Sequence, residues 1–217
     1  MMGRSETEQK TGIFGGTFNP FHKGHLNAAE AVFKGLDLKE LVFMPVYIPP
    51  HKNYKGLALS DDRIEIIKKS IEGIKGFSVS DLEIKRKGLS YTIDTLEEIK
   101  KSIKGELVFV MGSDSFQNFN KWHRYKDILK TASLAVASRP DFEAGIGQLG
   151  IKGYYLKKQG CYSHKKYRDI YFFRINEKDI SSTELRKKIR YGQDIRAYID
   201  EKAAEYIEEK GLYKDEK

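Results

Sequence analysis

The chain has 217 residues, 40% hydrophobic and 32% charged, with a formal net charge of +8. That length holds one sizeable α/β domain, and no apolar run approaches the ~18 residues that cross a bilayer. The positive balance favours anionic partners, and a lone cysteine, Cys161, excludes an internal disulfide and suits a reducing cytoplasm.

In chain order, residues 1–10 form a polar extension with no apolar signal region. From Met2 it matches the short M-G-x-x-x-T lipidation pattern, but Met1 would keep Gly3 from becoming the terminus. "TGIF" (Thr11–Phe14) then reads as a strand, followed by Gly15-Gly16 and a helix from His25 to Leu36. "ELVFMPV", "FSVSDLEI", "LVFVMG", "SLAVAS" and "IYFFRI" read as further strands, several apolar on both faces. Helical patterns lie between them: Ser60–Ile74 with Ser60 as N-cap, Thr92–Ile103, and about Arg124–Lys130. Ser182–Tyr191 and Ile195–Lys210 follow the last strand. The alternation predicts a single Rossmann-like domain over residues 1–217, a doubly wound parallel sheet with C-terminal helices. Ligands in such sheets bind beyond the strand ends where strand order reverses. Residues 142–168, rich in Gly, Tyr and Lys, fit least well and read as an insertion leaving the sheet, a lid or oligomer contact.

Three stretches carry the chemistry. In "GGTFNPFHKGH", a strand runs through glycines into a helix, which aims backbone N–H groups and a positive helix end at an anion. Gly15 and Gly16 let a phosphate approach the backbone. His22, His25 and Asn19 add donors. His-x-x-His is also half a metal site, but no Cys, Asp or Glu stands nearby to complete it. In "SSTELR", Ser181 and Glu184 form a capping box, and Ser182, Thr183 and Arg186 offer a fork of donors to a polyphosphate. In "GSDSF", Asp114 follows a strand end and suits a ribose diol or an N-cap. Thr92 reads as an N-cap or an anion site. Trp122 is the only tryptophan, and its polar neighbours argue against deep burial.

Taken together, these stretches resemble the bacterial nicotinate mononucleotide adenylyltransferases of the nucleotidylyltransferase superfamily. The resemblance rests on "GGTFNPFHKGH", "PPHK" (Pro49–Lys52), "GLSYTIDTL" (Gly88–Leu96), "GSDSF" with Trp122, "SRP" (Ser138–Pro140) and "ISSTELR", in family order from Thr11 to about Tyr213. It implies transfer of the adenylyl group of ATP to nicotinate mononucleotide. It implies His22, His25 and Arg186 as catalytic residues, and Gly15, Gly16, Thr17, Phe18, Asn19, Gly24, Ser182 and Thr183 as the ATP site. Lys52, Thr92, Gly112, Asp114, Trp122, His123 and Arg139 would hold the mononucleotide, Trp122 by stacking on the pyridine ring. Mg²⁺ would ride on the ATP phosphates without a protein cage. Position 19 is Asn where the family often has Asp, and residues 142–168 look longer and more basic than usual.

The implied protein is a cytoplasmic enzyme, with no nucleic-acid or membrane partner and oligomeric state open. Other readings keep the fold and change the acceptor to nicotinamide mononucleotide or phosphopantetheine, or make the chain a non-catalytic nucleotide- or nucleic-acid-binding module. No contiguous basic-aromatic stripe supports a nucleic-acid role. The G-x-G-x-x-G string Gly145–Gly150 lacks the strand and helix that a dinucleotide fingerprint needs. Cys161 and His164 lack the second pair that a zinc site requires.

Overall fold

The computed structural model of the chain describes residues 9–49, 56–138, 145–175 and 181–214. Among these, eight strands build one sheet: β1 Lys10–Gly16, β2 Glu40–Pro45, β3 Phe77–Val79, β4 Glu106–Gly112, β5 Ser133–Ser138, β6 Tyr155–Lys158, β7 Cys161–Ser163 and β8 Ile170–Arg174. Their spatial order is β3-β2-β1-β4-β5-β8-β7-β6. The first six in that order run parallel, with Ile13 beside both Val42 and Phe109 at the centre.

The apolar runs are buried on both faces because helices cover both. α1 (Lys23–Gly35), α2 (Ser60–Ser70), α7 (Ser182–Arg190) and α8 (Glu201–Glu209) cover one face. Ala28, Val32, Ile66, Leu185 and Ala203 there meet Phe14, Val108, Val110 and Ala135. α4 (Thr92–Lys100), α5 (Ser113–Phe116) and α6 (Tyr125–Thr131) cover the other. Their Ile93, Leu96, Phe116 and Leu129 meet Ile13, Phe109, Met111 and Val136. Alternate residues of one continuous apolar strand therefore serve two cores. Strand order reverses between β1 and β4, which opens a crevice at their C-terminal ends.

Several expectations need correcting. "FSVSDLEI" is not one strand: it leaves the sheet after Val79, and α3 (Leu82–Arg86) follows, with the Leu82 N–H donating to Ser80 Oγ. Ser60 is not an N-cap. Leu59 holds that place, while the Ser60 hydroxyl accepts from Arg63 Nη2 at 3.2 Å. The last helix begins at Glu201 rather than Ile195, because Asp200 caps it by accepting from the amides of Lys202 and Ala203. Thr92 opens α4 as its first residue, behind Tyr91.

Within the described part of residues 142–168, the chain returns to the sheet at Tyr155–Ser163. β6 and β7 form an antiparallel hairpin that extends it past β8. Asp169 holds the hairpin there. It accepts from Ser163 Oγ at 2.6 Å, Lys157 Nζ at 3.2 Å and Tyr171 Oη at 3.4 Å. Gly145–Gly150 contains only a 3-10 turn, Ile146–Leu149.

Asp169→Ala leaves those donors without their acceptor, a loss of about 1–3 kcal/mol. At roughly 2–4 °C per kcal/mol for a chain of this size, thermal melts should show a drop of several degrees. Hydrogen exchange should speed up selectively in residues 155–163. Unchanged exchange there would show that Asp169 does not hold the hairpin.

Candidate active site

A cavity of about 520 Å³ opens at the C-terminal ends of β1 and β4. Gly15, Gly16 and Thr17 form one side, and Asp114 and Ser115 of α5 another. Tyr91, Thr92, Trp122 and His123 close it. The two glycines are required by packing as much as by any ligand. A Cβ on Gly15 would stand 2.9 Å from the Phe109 ring, and one on Gly16 would stand 2.9 Å from the Phe18 ring. Trp122 is half-buried, its ring 6.1 Å from Phe109 and 5.4 Å from Phe119, with the rest of it in the cavity wall. Tyr91 faces His123 at 4.6 Å. Gly112 is the N-cap of α5, and Asp114 is exposed at the cavity edge.

His22, His25, Ser182, Thr183 and Arg186 lie beyond that lining, where α1 and α7 begin. His25 is wedged between aromatic rings: stacked on Phe21 at 5.3 Å and edge-on to Phe18 at 5.1 Å. Its Nδ1 accepts the His22 N–H at 3.3 Å, which places the ring proton on Nε2 as a donor. The His22 ring is 3.8 Å away, and the residue is buried. Ser182 Oγ donates to the Pro20 carbonyl at 3.0 Å, and Arg186 Nη1 donates to the Asn19 carbonyl at 2.7 Å. Both helix starts are thereby joined to the one loop that leads into His22. The capping box forms as expected: Glu184 N–H donates to Ser181 Oγ, and Ser181 N–H donates to Glu184 Oε2 at 2.8 Å. Burial lowers the Arg186 pKa, and Thr183 Oγ1 lies 3.4 Å from its Nη2.

Three parts of the expected ATP site also serve the fold. Asn19 is buried and its amide is engaged within the fold: Nδ2 donates to the Gly56 carbonyl at 2.8 Å, and Oδ1 accepts the Ala58 N–H at 3.0 Å. Phe18 is 2% exposed and belongs to the core. Its φ of 48° turns the chain out of β1 at a conformation costly for a bulky residue. The start of α1 is not a row of waiting amides either. The Lys23 N–H donates to the Tyr198 carbonyl at 2.8 Å, and the His25 N–H to the His22 carbonyl. Gly24 sits half-buried in that first turn. Lys52 and Arg139 fall outside the described residues.

Two buried charges were not foreseen. Arg63 is 0% exposed; its guanidinium donates to the carbonyls of Thr17 at 2.9 Å and Ala58 at 3.2 Å, and to Ser60. Burial lowers its pKa. Its place one turn before Ile66 and Ile67, on the apolar face of α2, is the sequence signal that would have found it. Glu83, in the cavity wall, accepts from Thr95 Oγ1 at 2.6 Å. Burial pushes its carboxyl above the usual range, against the pull of the Thr95 and Ser90 hydroxyls. No helix among the described residues is long and apolar enough to cross a membrane.

The cytidylyltransferase-like family model matches residues 13–188. A protein of Clostridium tetani described as a probable nicotinate-nucleotide adenylyltransferase is 37% identical over 95% of this chain and 100% of its own length. One from Caldicellulosiruptor saccharolyticus with the same description is 39% identical over 95% of this chain and all of its own. Among solved structures, the Plasmodium falciparum nicotinic acid mononucleotide adenylyltransferase complexed with NaAD matches with a TM-score of 0.75. It is 21% identical and covers 94% of this chain and 97% of its own, a likeness of fold.

The Gly15–Phe109 contact is testable. Gly15→Ala should cost about 1–3 kcal/mol by overpacking. Combined with Phe109→Leu, it should cost less than the two single changes added together, because the shorter side chain frees the space. Chemical denaturation of the four proteins measures this coupling, and strict additivity would mean that the methyl group is accommodated another way.

Proposed function

Because the chain belongs to the cytidylyltransferase-like family and, within it, to the nicotinate-nucleotide adenylyltransferases, we propose that it transfers the adenylyl group of ATP to nicotinate mononucleotide, giving nicotinate adenine dinucleotide and pyrophosphate. The observation that carries the reading is the pairing of a cavity, walled by Trp122, Tyr91 and Thr92, with the His22–His25–Arg186 corner beside it. One accommodates a ring with its ribose; the other offers donors to a polyphosphate.

An oxygen of the mononucleotide phosphate attacks the α-phosphorus of ATP in line, and the bond from that phosphorus to the β-bridging oxygen breaks. The attacking oxygen is already anionic, so no protein nucleophile is needed. Catalysis is positioning and charge stabilisation. His25 presents its Nε2–H, held in orientation by the His22 N–H and the Phe21 stack. Arg186 keeps one guanidinium nitrogen on the Asn19 carbonyl and turns its charge to the leaving pyrophosphate. Asp114 accepts from ribose hydroxyls, and Trp122 stacks on the pyridine ring. Lys52 and Arg139 complete the grip on the mononucleotide phosphate.

A Mg²⁺ carried on the triphosphate oxygens with water would ask little of the protein. Such an ion would neutralise charge on the departing pyrophosphate.

His25→Ala should lower kcat by about 10²-fold or more, the range for loss of one preorganised donor, with the fold kept. Near-normal turnover would remove His25 from the phosphate grip. Substrate choice is read by product analysis with ATP, Mg²⁺ and a panel of mononucleotides. A site with helix-end donors at Thr92 suits a carboxylate, whereas a carboxamide NH₂ would face donors without an acceptor. The kcat/KM for nicotinate mononucleotide should therefore exceed that for the nicotinamide form by at least ~10²-fold. Equal efficiencies would mean dual specificity, and a reversed ratio a different substrate.

A further inference from the structure

Glu83 is 4% exposed and lines the cavity, yet the transfer chemistry gives it no task. Its Oε1 accepts from Thr95 Oγ1 at 2.6 Å, bridging α3 to α4. Arg86, one turn after Glu83, donates from Nη2 to the same hydroxyl at 2.8 Å and from Nη1 to Glu98 at 3.2 Å. The loop between the two helices is fixed to the end of β2 as well: Tyr47 N–H donates to Ser90 Oγ, and Ser90 N–H to the Ile48 carbonyl, each at 3.0 Å. The Ser90 hydroxyl also pulls on the Glu83 carboxyl, so this buried group faces both α4 and the loop before it.

We infer that Glu83 is the positioning residue of the acceptor pocket: through Thr95 it fixes the first turn of α4, which holds Tyr91 and Thr92 in the cavity wall. The inference rests on the reading of that cavity as the mononucleotide site. The Thr95 hydroxyl has a second acceptor, the Tyr91 carbonyl at 3.5 Å within its own helix. Without Glu83 it turns there, and α4 loses its buried carboxylate tie to α3, keeping only the more exposed Arg86 contacts, while remaining a helix. A shift of this kind misplaces the pyridine ring between Thr92 and Trp122 and leaves the His22–His25–Arg186 corner untouched. The signature is thus a loss confined to the acceptor.

Trp122, the only tryptophan of the chain, lines the same cavity and reports acceptor binding by fluorescence independently of turnover. In Glu83→Ala, KM for nicotinate mononucleotide and its Kd from Trp122 fluorescence should rise about 10-fold or more, the scale of a small misplacement. KM for ATP should stay within about twofold. Glu83→Gln keeps an oxygen for Thr95 and should recover most of the loss. Thr95→Val, which removes the linking hydroxyl, should reproduce it. An unchanged mononucleotide KM in Glu83→Ala, equal rises in both KM values, or no recovery with Glu83→Gln would overturn the inference. If Glu83→Ala does not fold, Thr95→Val decides: a normal mononucleotide KM sinks the idea. Should the wild-type protein prefer another mononucleotide, the substrate reading fails, and the same comparison with that acceptor still tests Glu83.

Discussion

β1 and β4 lie side by side, but the chain leaves them toward opposite faces of the sheet, and the site depends on the crevice this opens. α1 follows β1 onto the face shared with α2, α7 and α8. α5 follows β4 onto the other face. With the two connections diverging, the strand ends between them open on one cavity, which Gly15, Gly16 and Asp114 line. α4 and α5, which help to fill one core, therefore also wall the cavity.

Polar ties across that crevice set its finer geometry. The loop after β1 is held from three directions: by Arg63 on the Thr17 carbonyl, by Asn19 on Gly56 and Ala58, and by Arg186 and Ser182 on the carbonyls of Asn19 and Pro20. A charge buried as deeply as Arg63 persists only where its donors are matched, since burial without partners is costly. Here carbonyl oxygens match them. Such a rigid loop keeps the His25 ring in one orientation, and preorganised donors act most strongly when they need not move.

The core and the alternation of strand and helix were legible because they rest on local patterning. Continuous apolar runs such as "LVFVM" mark strands buried on both faces, and Ser181 with Glu184 marked a helix start that the structure bears out. Misreadings fell where tertiary contacts override local preference. Ser80 and the buried Glu83 draw "DLEI" into a helix, and Asp169 draws a Gly-rich stretch onto the sheet edge. The Asn19 amide has the chemistry of a ligand donor, and only the position of residues 56–58 shows that it also holds the fold.

By itself the sequence determined the α/β alternation, the apolar faces, the capping box and the set of His, Arg, Asp and Trp side chains suited to a nucleotide. These follow from residue type and short-range spacing, through sterics and hydrophobic period. The tertiary structure decided which of those side chains line the cavity and which hold the fold. It divided the candidates between the cavity and the neighbouring His22–His25–Arg186 corner, and it raised Arg63 and Glu83 from unremarked charges to buried ties. That division depends on partners 12 to 167 positions apart along the chain, as with Thr95 and Glu83 or Arg186 and Asn19. No local rule of spacing encodes such a partner; only the packing of the two faces brings it within hydrogen-bond reach.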